Sequence, residues 1–485
     1  DSQPSGVVVV ASPWNFPYAI PAGGIIAALV SGNTVIFKPA PEVVLVGWEL
    51  VNQLWKSGVP KQALHFVPTQ DNEVGQKLIS HQDVDKVVLT GAHETAVKFK
   101  SWRPDLDLVA ETSGKNSIVV TNSADIDLAV HDIVQSAFGH AGQKCSAASL
   151  AIVEKEIYDN PLFFKQLVDA TKSLTTGNPA NLGNSVGPLI NNPDKKLLRA
   201  LTELDEGEEW LVKPEQLDNS NCWSPGIKIN VQPGSWSHKT EWFGPVLGIV
   251  KAKNLKEAIK LQNGTEYGLT AGIHSLSTKE CNFWLKHVEA GNLYINRPIT
   301  GAIVKRQPFG GWKKSSFGPT LKAGARSYPS VFRRFIQVYD YEKLQEELSE
   351  LWNLRSKKNK TDNLLSEHNY SLLHPYKSVL VVQDGDQNQD EMLYFEFIKK
   401  LFGTRIDIVK FSNLEEDEGL SRYSTVRWLS SKPAPIWMYK YNFAVNTSKV
   451  VQNTERELFS WTREQNISIT NHRYGNIGFS PVSSI

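Results

Sequence analysis

The chain has 485 residues, 41% of them hydrophobic and 21% charged, so it can bury several large cores and predicts two to four globular domains. Its 52 basic and 51 acidic residues leave a net charge of +1, which gives no reason to expect a nucleic-acid or membrane-surface partner. The three scattered cysteines exclude a disulfide framework and a cysteine-based metal site, and they favour a reducing, cytoplasmic compartment.

The first 120 residues alternate short β-branched runs with helical stretches. Strands are predicted at 6–10, 33–38, 63–68 and 86–91, with helices between them at 21–32, 45–58 and 72–81. This alternation predicts a parallel α/β sheet, in which ligands bind beyond the carboxyl ends of the strands. Asn15, Lys38 and Gly91 follow predicted strands, and they become candidate site residues for that reason.

A second α/β region runs from 117 to 294, and a glycine-rich segment follows at 301–319. Leucines at helical spacing predict a helix near 341–352, and strand–helix–strand begins again at 377–411. The predicted domains are an α/β domain at 1–113, a second α/β domain at 114–303, a return segment with a helix at 304–354, a linker at 355–365, and a small α/β domain at 366–485.

Several familiar motifs are absent from the sequence. There is no G-x-G-x-x-G, no G-x-x-x-x-G-K-[ST], no H-E-x-x-H and no C-x-x-C, so phosphate-loop, zinc-protease and dithiol chemistries lose support. The sequence begins at Asp1 and enters a strand-like run almost at once. We therefore expect that a natural N-terminal part is missing.

Cys145 is the candidate for covalent chemistry. A lone cysteine is more often a small buried hydrophobic residue than a nucleophile. Here the flanking residues Gly142, Ser146 and Ala147 are small and leave room for a substrate at the sulfur. Backbone N–H groups in the surrounding turn would lower the pKa of the thiol, as a reactive cysteine requires.

A set of short motifs carries a family resemblance. "PWNFP", "FKPA", "LTG", "ETSGKN", "GQKCSA", "EWFGPV", "GNLYIN" and "PFGG" occur in order and with typical gaps, and together they cover about 6–328. In this the chain resembles the aldehyde dehydrogenase superfamily. The resemblance implies an α/β fold with a Rossmann-type parallel-sheet cofactor domain and an α/β catalytic domain, to which a small C-terminal α/β domain is added.

The resemblance also implies a catalytic triad. Cys145 would attack the aldehyde carbon, and the Asn15 amide and the Cys145 backbone N–H would hold the oxyanion. Glu111 would activate the water that hydrolyses the thioester, which favours a free acid as product. Taken singly, Asn15 would be a turn residue and Glu111 a surface carboxylate; in combination with Cys145 the catalytic interpretation prevails.

The cofactor implied by the resemblance is NAD, and no metal is implied. The matching positions are Ser12, Pro13, Trp14, Lys38, Gly91, Glu241 and Phe243. Two positions depart from the usual family pattern, since Pro41 stands where a glutamate is common and Ala92 where a serine is common. These departures leave NADP open as the alternative.

The segment 291–311 is more specific. It resembles L-glutamate γ-semialdehyde (1-pyrroline-5-carboxylate) dehydrogenases, particularly those fused in proline utilization A (PutA) proteins. That resemblance implies that the N–H groups of Gly301 and Ala302 and the hydroxyl of Ser146 hold the substrate's α-carboxylate. The plainer alternative is a glycine turn after Thr300. The expected reaction is the NAD-dependent oxidation of the semialdehyde to L-glutamate, the second step of proline breakdown.

The C-terminal segment 455–476 resembles the C-terminal domain of long PutA proteins, which implies a bracing role; His472 and Arg473 are interpreted as packing residues. The resemblance further implies a homodimer and an upstream proline dehydrogenase domain, which alone would carry FAD. Two alternatives stay open. One is another NAD(P)-dependent semialdehyde dehydrogenase, and the other is a non-catalytic domain of the same fold kept for assembly.

Overall fold

The computed structural model describes residues 2–217, 221–319, 321–470, 472–473 and 476–477. The chain divides into two compact units. The first unit comprises 1–112, 308–359 and 371–465, and the second comprises 113–307, 360–370 and 466–485. The chain therefore passes repeatedly from one unit to the other, and the C-terminal part contributes to both.

The strands are mostly short, and the longest have nine residues. In chain order they are β1 Ser2–Pro4, β2 Val7–Ala11, β3 Thr34–Lys38, β4 Leu64–Phe66, β5 Lys86–Thr90, β6 Leu108–Glu111, β7 Asn116–Val120, β8 Ala148–Glu154, β9 Glu209–Val212, β10 Gln216–Leu217, β11 Cys222–Trp223, β12 Gly226–Ile229, β13 Val246–Ala252, β14 Tyr267–Gly268, β15 Thr270–His274, β16 Asn292–Ile295, β17 Trp312–Lys313, β18 Ser316–Phe317, β19 Arg333–Phe335, β20 Asn359–Lys360, β21 Glu367–Pro375, β22 Ser378–Gln383, β23 Arg405–Lys410, β24 Thr425–Trp428, β25 Ala444–Asn446, β26 Thr462–Thr470, β27 His472–Arg473 and β28 Asn476–Ile477.

The α-helices run between these strands. In chain order they are α1 Ala19–Val30, α2 Val44–Lys56, α3 Glu73–Ser80, α4 His93–Trp102, α5 Ile126–Phe138, α6 Lys155–Tyr158, α7 Pro161–Lys172, α8 Lys195–Thr202, α9 Trp236–Lys239, α10 Leu255–Asn263, α11 Thr278–His287, α12 Tyr341–Arg355, α13 Gln389–Phe402 and α14 Thr454–Trp461.

The larger sheet of the first unit has the strand order β18-β6-β5-β2-β3-β4. Strands β6, β5, β2, β3 and β4 run parallel, and only β18 is antiparallel to its neighbour. The valine run of β2 explains its central place, because Val8 and Val9 are fully buried on opposite faces of the sheet. The predicted parallel sheet is confirmed.

A second, four-stranded parallel sheet lies in the same unit, with the order β23-β22-β24-β25. Its helix α13 begins with a capping box between Asn388 and Glu391 and ends at Gly403, whose φ of 66° lies in the left-handed region. The strand–helix–strand predicted at 377–411 is therefore present. Phe317 of β18 stacks on Tyr439 at 4.6 Å, so the two sheets of this unit share a hydrophobic core.

The second unit is built on a sheet whose central order is β26-β16-β15-β7-β8-β13-β12-β9, with β20 and β21 at one edge. Its core strands are parallel, and every residue of β7 and all but one of β8 are buried. The helix α5 packs on this sheet and starts at Asp125, whose carboxylate accepts the N–H of Leu128. Helix α5 and all of strand β7 but its first residue fall in the second α/β region that the sequence predicts at 117–294.

The structure differs from the sequence-based expectation around 355–370. The polar segment predicted as a linker contains the last residue of α12 and the strand β20, and the N–H of Thr361 bonds to the carbonyl of Asn369. Backbone pairing with β21 overrides the polar, basic composition there, because an edge strand tolerates charged side chains. Residues 360–370 fall in the second unit, whereas the sequence placed the small α/β domain at 366–485.

Candidate active site

The predicted cofactor residues of the first unit lie at one edge of its sheet. Strand β6 ends at Glu111, β5 is followed by Gly91, β2 by Ser12 and β3 ends at Lys38, and these four strands are successive neighbours. The backbone joins them further, since the N–H of Gly91 bonds to Glu111 and the N–H of Ser12 bonds to Lys38. The expectation that residues after parallel strands would share an edge is thus met for this unit.

Two polar atoms at this edge are buried and have no hydrogen-bond partner within the described part of the chain. They are the hydroxyl oxygen of Ser12 and the amide oxygen of Asn15, whose residues are 8% and 5% exposed. Uncompensated buried polar atoms are costly, so they are the groups expected to meet a ligand. A Cβ added at Gly91 would lie 3.5 Å from the Leu89 side chain, which is an ordinary van der Waals contact.

Lys38 makes an ion pair that the sequence did not indicate. Its ammonium lies 2.8 Å from a carboxylate oxygen of Asp71, which stands in the loop before α3 and is exposed. The lysine itself is buried, so its position is fixed while its partner can exchange with another acceptor. Nothing in the local sequence could have found Asp71, because 33 residues separate the two.

Glu111 lines a cavity of the first unit with a volume of about 90 Å³. Lys322, Trp312, Tyr328 and Glu464 also line this cavity. Burial raises the pKa of the Glu111 carboxyl to about 7, and the Lys322 ammonium opposes that rise. A carboxyl with such a pKa exchanges protons readily near neutral pH, which is what a general base requires.

Cys145 stands in the second unit, between a 3₁₀ turn at Gly139–Gly142 and β8. Cys145 is partly exposed, whereas Cys222 and Cys281 are buried. The turn before it is strained, because the non-glycine residues His140 and Ala141 have φ of 60° and 52°. Strain of this kind persists only where the surrounding structure fixes it.

Three contacts fix the cysteine loop. Asn116 at the start of β7 donates from Nδ2 to the carbonyls of Cys145 at 2.7 Å and Ala147 at 3.0 Å. The hydroxyl of Thr270 donates to the carbonyl of Ser146 at 3.4 Å. Gly142, with φ of 66°, leaves room for the carbonyl of Gly244, which a Cβ would approach to 2.2 Å. The sequence motif contained Asn116, but its function as a clamp on the cysteine loop was not predicted.

Glu241 and Phe243 lie on the segment that enters β13. A carboxylate oxygen of Glu241 accepts the N–H of Gly114 at 2.9 Å, and Phe243 has a left-handed φ of 59°. Cys145, Glu241 and Gly114 therefore each precede a strand of a parallel sheet. The rule that ligands bind at the carboxyl ends of parallel strands would not have located these residues, because they precede strands. Only the sequence motifs identified them.

The predicted carboxylate-binding residues follow β16. The N–H of Ile299 bonds to the buried hydroxyl of Ser136 in α5 at 3.1 Å, which anchors this segment near the end of the helix that leads to Cys145. Gly301 has φ of 84°, is exposed, and has open space where a side chain would stand. Gly301 and Ala302 thus present exposed backbone, while the partner predicted with them, Ser146, is buried.

Neither a metal site nor a membrane-spanning helix is found among the residues that the structure describes. Within the ranges that the structure describes, no group of three or more His, Cys, Asp or Glu side chains is arranged to hold a metal ion. No described helix combines the length and apolar character needed to cross a membrane.

His472 and Arg473, interpreted as packing residues, form the short strand β27, which pairs with β28.

A model of the aldehyde dehydrogenase family matches residues 1–333. The 1-pyrroline-5-carboxylate dehydrogenase of Bacillus cytotoxicus is 38% identical over 335 residues, which are 67% of this chain and 64% of the relative. The predicted resemblance and fold class are confirmed by these matches and by solved structures. The chain spans less than two thirds of the length of this curated relative.

Two solved structures extend the comparison. Proline utilization A (PutA) from Corynebacterium freiburgense superposes with a TM-score of 0.91 at 41% identity, covering 98% of this chain and 51% of that chain. The 1-pyrroline-5-carboxylate dehydrogenase from Thermus with bound NAD gives a TM-score of 0.64 at 33% identity, covering 68% and 65%. The PutA match therefore includes the C-terminal part, which the family model does not reach.

Proposed function

Because the chain belongs to the aldehyde dehydrogenase family, we propose that it oxidises L-glutamate γ-semialdehyde to L-glutamate with NAD as the hydride acceptor. The observation that carries the chemistry is the cysteine loop, in which the partly exposed Cys145 follows a strained turn clamped by Asn116. The substrate is inferred from relatives named 1-pyrroline-5-carboxylate dehydrogenase and from the motif around Gly301. A place in proline breakdown, cytoplasmic location and homodimer formation are parts of the same proposal.

The first bond is made by the Cys145 thiolate, which adds to the aldehyde carbon and gives a thiohemiacetal. The N–H of Cys145 and the side-chain amide of Asn15 are proposed to donate to its oxyanion. Removing one such donor typically lowers the rate by about 10²–10³-fold. Ser146, Gly301 and Ala302 are proposed to hold the substrate's α-carboxylate and so to select this aldehyde.

The residues of the first unit's sheet edge fit a dinucleotide, because the buried Ser12 hydroxyl lacks a partner among the described residues. Ser12, Lys38 and Gly91 are proposed to hold it there, and Glu241 and Phe243 are proposed as cofactor residues on the family resemblance alone. NAD, when bound, would supply the hydride acceptor that the oxidation of the thiohemiacetal carbon to a Cys145 thioester needs.

Glu111 completes the reaction. Its carboxylate takes a proton from a water molecule, whose oxygen adds to the thioester carbon, and the C–S bond then breaks to release L-glutamate and the Cys145 thiolate. The pKa of about 7 matches this use, since the carboxylate is present in quantity at neutral pH and is still basic enough to remove the proton. Hydrolysis rather than transfer to a thiol is proposed because this base is present.

The test is NADH formation by the full-length protein supplied with 1-pyrroline-5-carboxylate and NAD or NADP. Turnover with NAD should be lost in Cys145→Ala and kept in Cys222→Ala, whose thiol is buried. Oxidation of a simple aliphatic aldehyde without turnover of 1-pyrroline-5-carboxylate would contradict the proposed substrate. A folded protein that oxidises no aldehyde would instead favour the non-catalytic alternative.

A further inference from the structure

The cavity into which Glu111 opens is built from distant parts of the first unit. Its lining includes Lys322 from the segment after the glycine-rich loop, and Glu464 and Arg463 from β26 in the C-terminal part. We call it the base cavity. Two carboxylates and the ammonium of Lys322 thus border the same space, and a charge on one of them alters the protonation of the others.

Lys322 is fixed relative to the strand that carries Glu111. Strand β18 pairs antiparallel with β6 and places Ser316 opposite Glu111. Phe309 and Ala323 exchange two backbone hydrogen bonds of 2.8 and 2.9 Å. Lys322, which precedes Ala323, is therefore held beside the segment around Phe309. The Lys322 ammonium donates to the carbonyl of Gly310 at 2.7 Å and is 5% exposed by residue, so its charge cannot move away from the cavity.

Glu464 is held in place by both its backbone and its side chain. The indole N–H of Trp312 donates to its carbonyl at 2.9 Å, and the hydroxyl of Ser371 donates to its carboxylate Oε1 at 2.9 Å. The guanidinium of the adjacent Arg463 lies 3.8 Å from the centre of the Trp312 ring. The C-terminal part of the chain therefore delivers a fixed carboxylate to the wall of the base cavity.

The charges of Glu464 and Glu111 affect the pKa of Lys322, and the charge of Lys322 affects the pKa of Glu111. Burial lowers the pKa of Lys322 to about 7, and this is opposed first by Glu464 and second by Glu111. Burial raises the pKa of Glu111 to about 7, and Lys322 opposes that rise. The remaining groups of the lining include Tyr328 and Tyr376, both with a pKa raised by burial, and the cations Lys313 and Arg463.

We propose that Glu464 is a positioning residue that keeps the Lys322 ammonium charged, and that this charge keeps the Glu111 carboxyl ionised as the base. The use of Glu111 as a base rests on the proposed function. The electrostatic coupling of Glu464, Lys322 and Glu111 does not depend on it. It gives the C-terminal part of the chain a specific electrostatic function in the dehydrogenase reaction, in addition to packing.

The sign of the effect follows from the charges. Without the carboxylate of Glu464, Lys322 loses its proton at a lower pH. The cavity then holds less positive charge at neutral pH, and Glu111 keeps its proton to a higher pH. Removing the charge of Lys322 itself should raise the pKa of Glu111 further. In a variant that already lacks the Lys322 ammonium, replacing Glu464 should not change the pKa of Glu111 further.

The test is a pH titration of the Glu111 carboxyl in the full-length, ligand-free protein by infrared difference spectroscopy, with the band assigned by its loss in Glu111→Gln. Glu464→Gln should raise the midpoint by about 0.5–1 pH unit and Lys322→Met by about 1–2 units. The double variant should match Lys322→Met. Glu346→Gln, which removes the same charge from an exposed position on α12, should leave the midpoint unchanged.

Glu464→Gln retains an oxygen that accepts the hydrogen bond from Ser371, so this variant tests the charge without removing the contact. An unchanged or lowered midpoint in Glu464→Gln, or a further upward shift in the double variant, would overturn the proposal. If Lys322→Met does not fold, Glu464→Gln still decides. The proposed function is judged separately, by whether the wild type oxidises 1-pyrroline-5-carboxylate, and there the acid limb of kcat should follow the same midpoints.

Discussion

The side chain of Asn116 clamps the backbone of Cys145, with its Nδ2 lying 2.7 Å from the carbonyl oxygen of that residue. Asn116 is 2% exposed, and its Oδ1 accepts the N–H of Thr270 at 3.0 Å. One buried amide thus joins the start of β7, the cysteine loop and the start of β15. The position of the Cys145 backbone therefore depends on this side chain.

We expect Asn116→Ala to lower the free energy of unfolding by about 2–5 kcal/mol, since it leaves two carbonyls and one N–H without partners at about 1–3 kcal/mol each. Turnover should fall at least tenfold, because small misplacements of reacting groups are costly. Urea unfolding and NADH formation measure the two effects. Asn122→Ala, just after the other end of β7 at an exposed position, is the control and should retain both properties.

Gly142 should not tolerate a side chain. A Cβ there would lie 2.2 Å from the carbonyl oxygen of Gly244 and 2.9 Å from that of Ala137, and the residue has φ of 66°. Because both neighbours are backbone atoms, Gly142→Ala is expected to cost about 2–4 kcal/mol in unfolding free energy through strain and overpacking. Gly187→Ala, where a Cβ would meet nothing within 4 Å, should change stability little. Equal stabilities of the two variants would contradict this interpretation of the turn.

The rate of thioester hydrolysis should depend on pH through Glu111. Its pKa is raised by burial to about 7, so the base form is lost as the pH falls through 7, and hydrolysis should slow below that pH. In Glu111→Gln the steady-state rate should fall by about 10²–10⁴-fold, while a burst of about one NADH per active site remains. Stopped-flow fluorescence of NADH measures both phases. Glu94→Gln, exposed on α4, should behave as the wild type.

The buried pair of Arg427 and Glu457 should dominate the stability of the four-stranded sheet. The guanidinium lies 3.0 Å from the carboxylate, which also accepts hydrogen bonds from Tyr394 at 2.8 Å and Trp461 at 2.9 Å. Glu457→Ala leaves a buried unpaired cation and should cost about 3–5 kcal/mol. Thermal and urea unfolding measure it. Glu396→Ala breaks an exposed pair with Lys399 and should cost less than about 1 kcal/mol; a similar loss in both would refute the argument.

Much of the fold could be predicted from local patterns. The run Val7–Ala11 and the four central residues of Ser378–Gln383 are β-branched or apolar, as in a strand buried on both faces, and the helices between strands follow 3.6-residue periodicity. The short strand β20 was not predicted, because its polar residues are held by backbone pairing at an edge and carry no hydrophobic signal.

The sequence by itself determined the family, the parallel α/β elements and the identity of the candidate catalytic residues, because a nucleophile, a base and glycines at tight turns must be particular residue types at particular points of the chain. Tertiary structure alone decided which distant groups meet. It placed Lys322 and Glu464 in the cavity of Glu111, and it made Asn116 the clamp on Cys145. The physical reason is that burial and electrostatic coupling depend on distances in space, which no local pattern encodes.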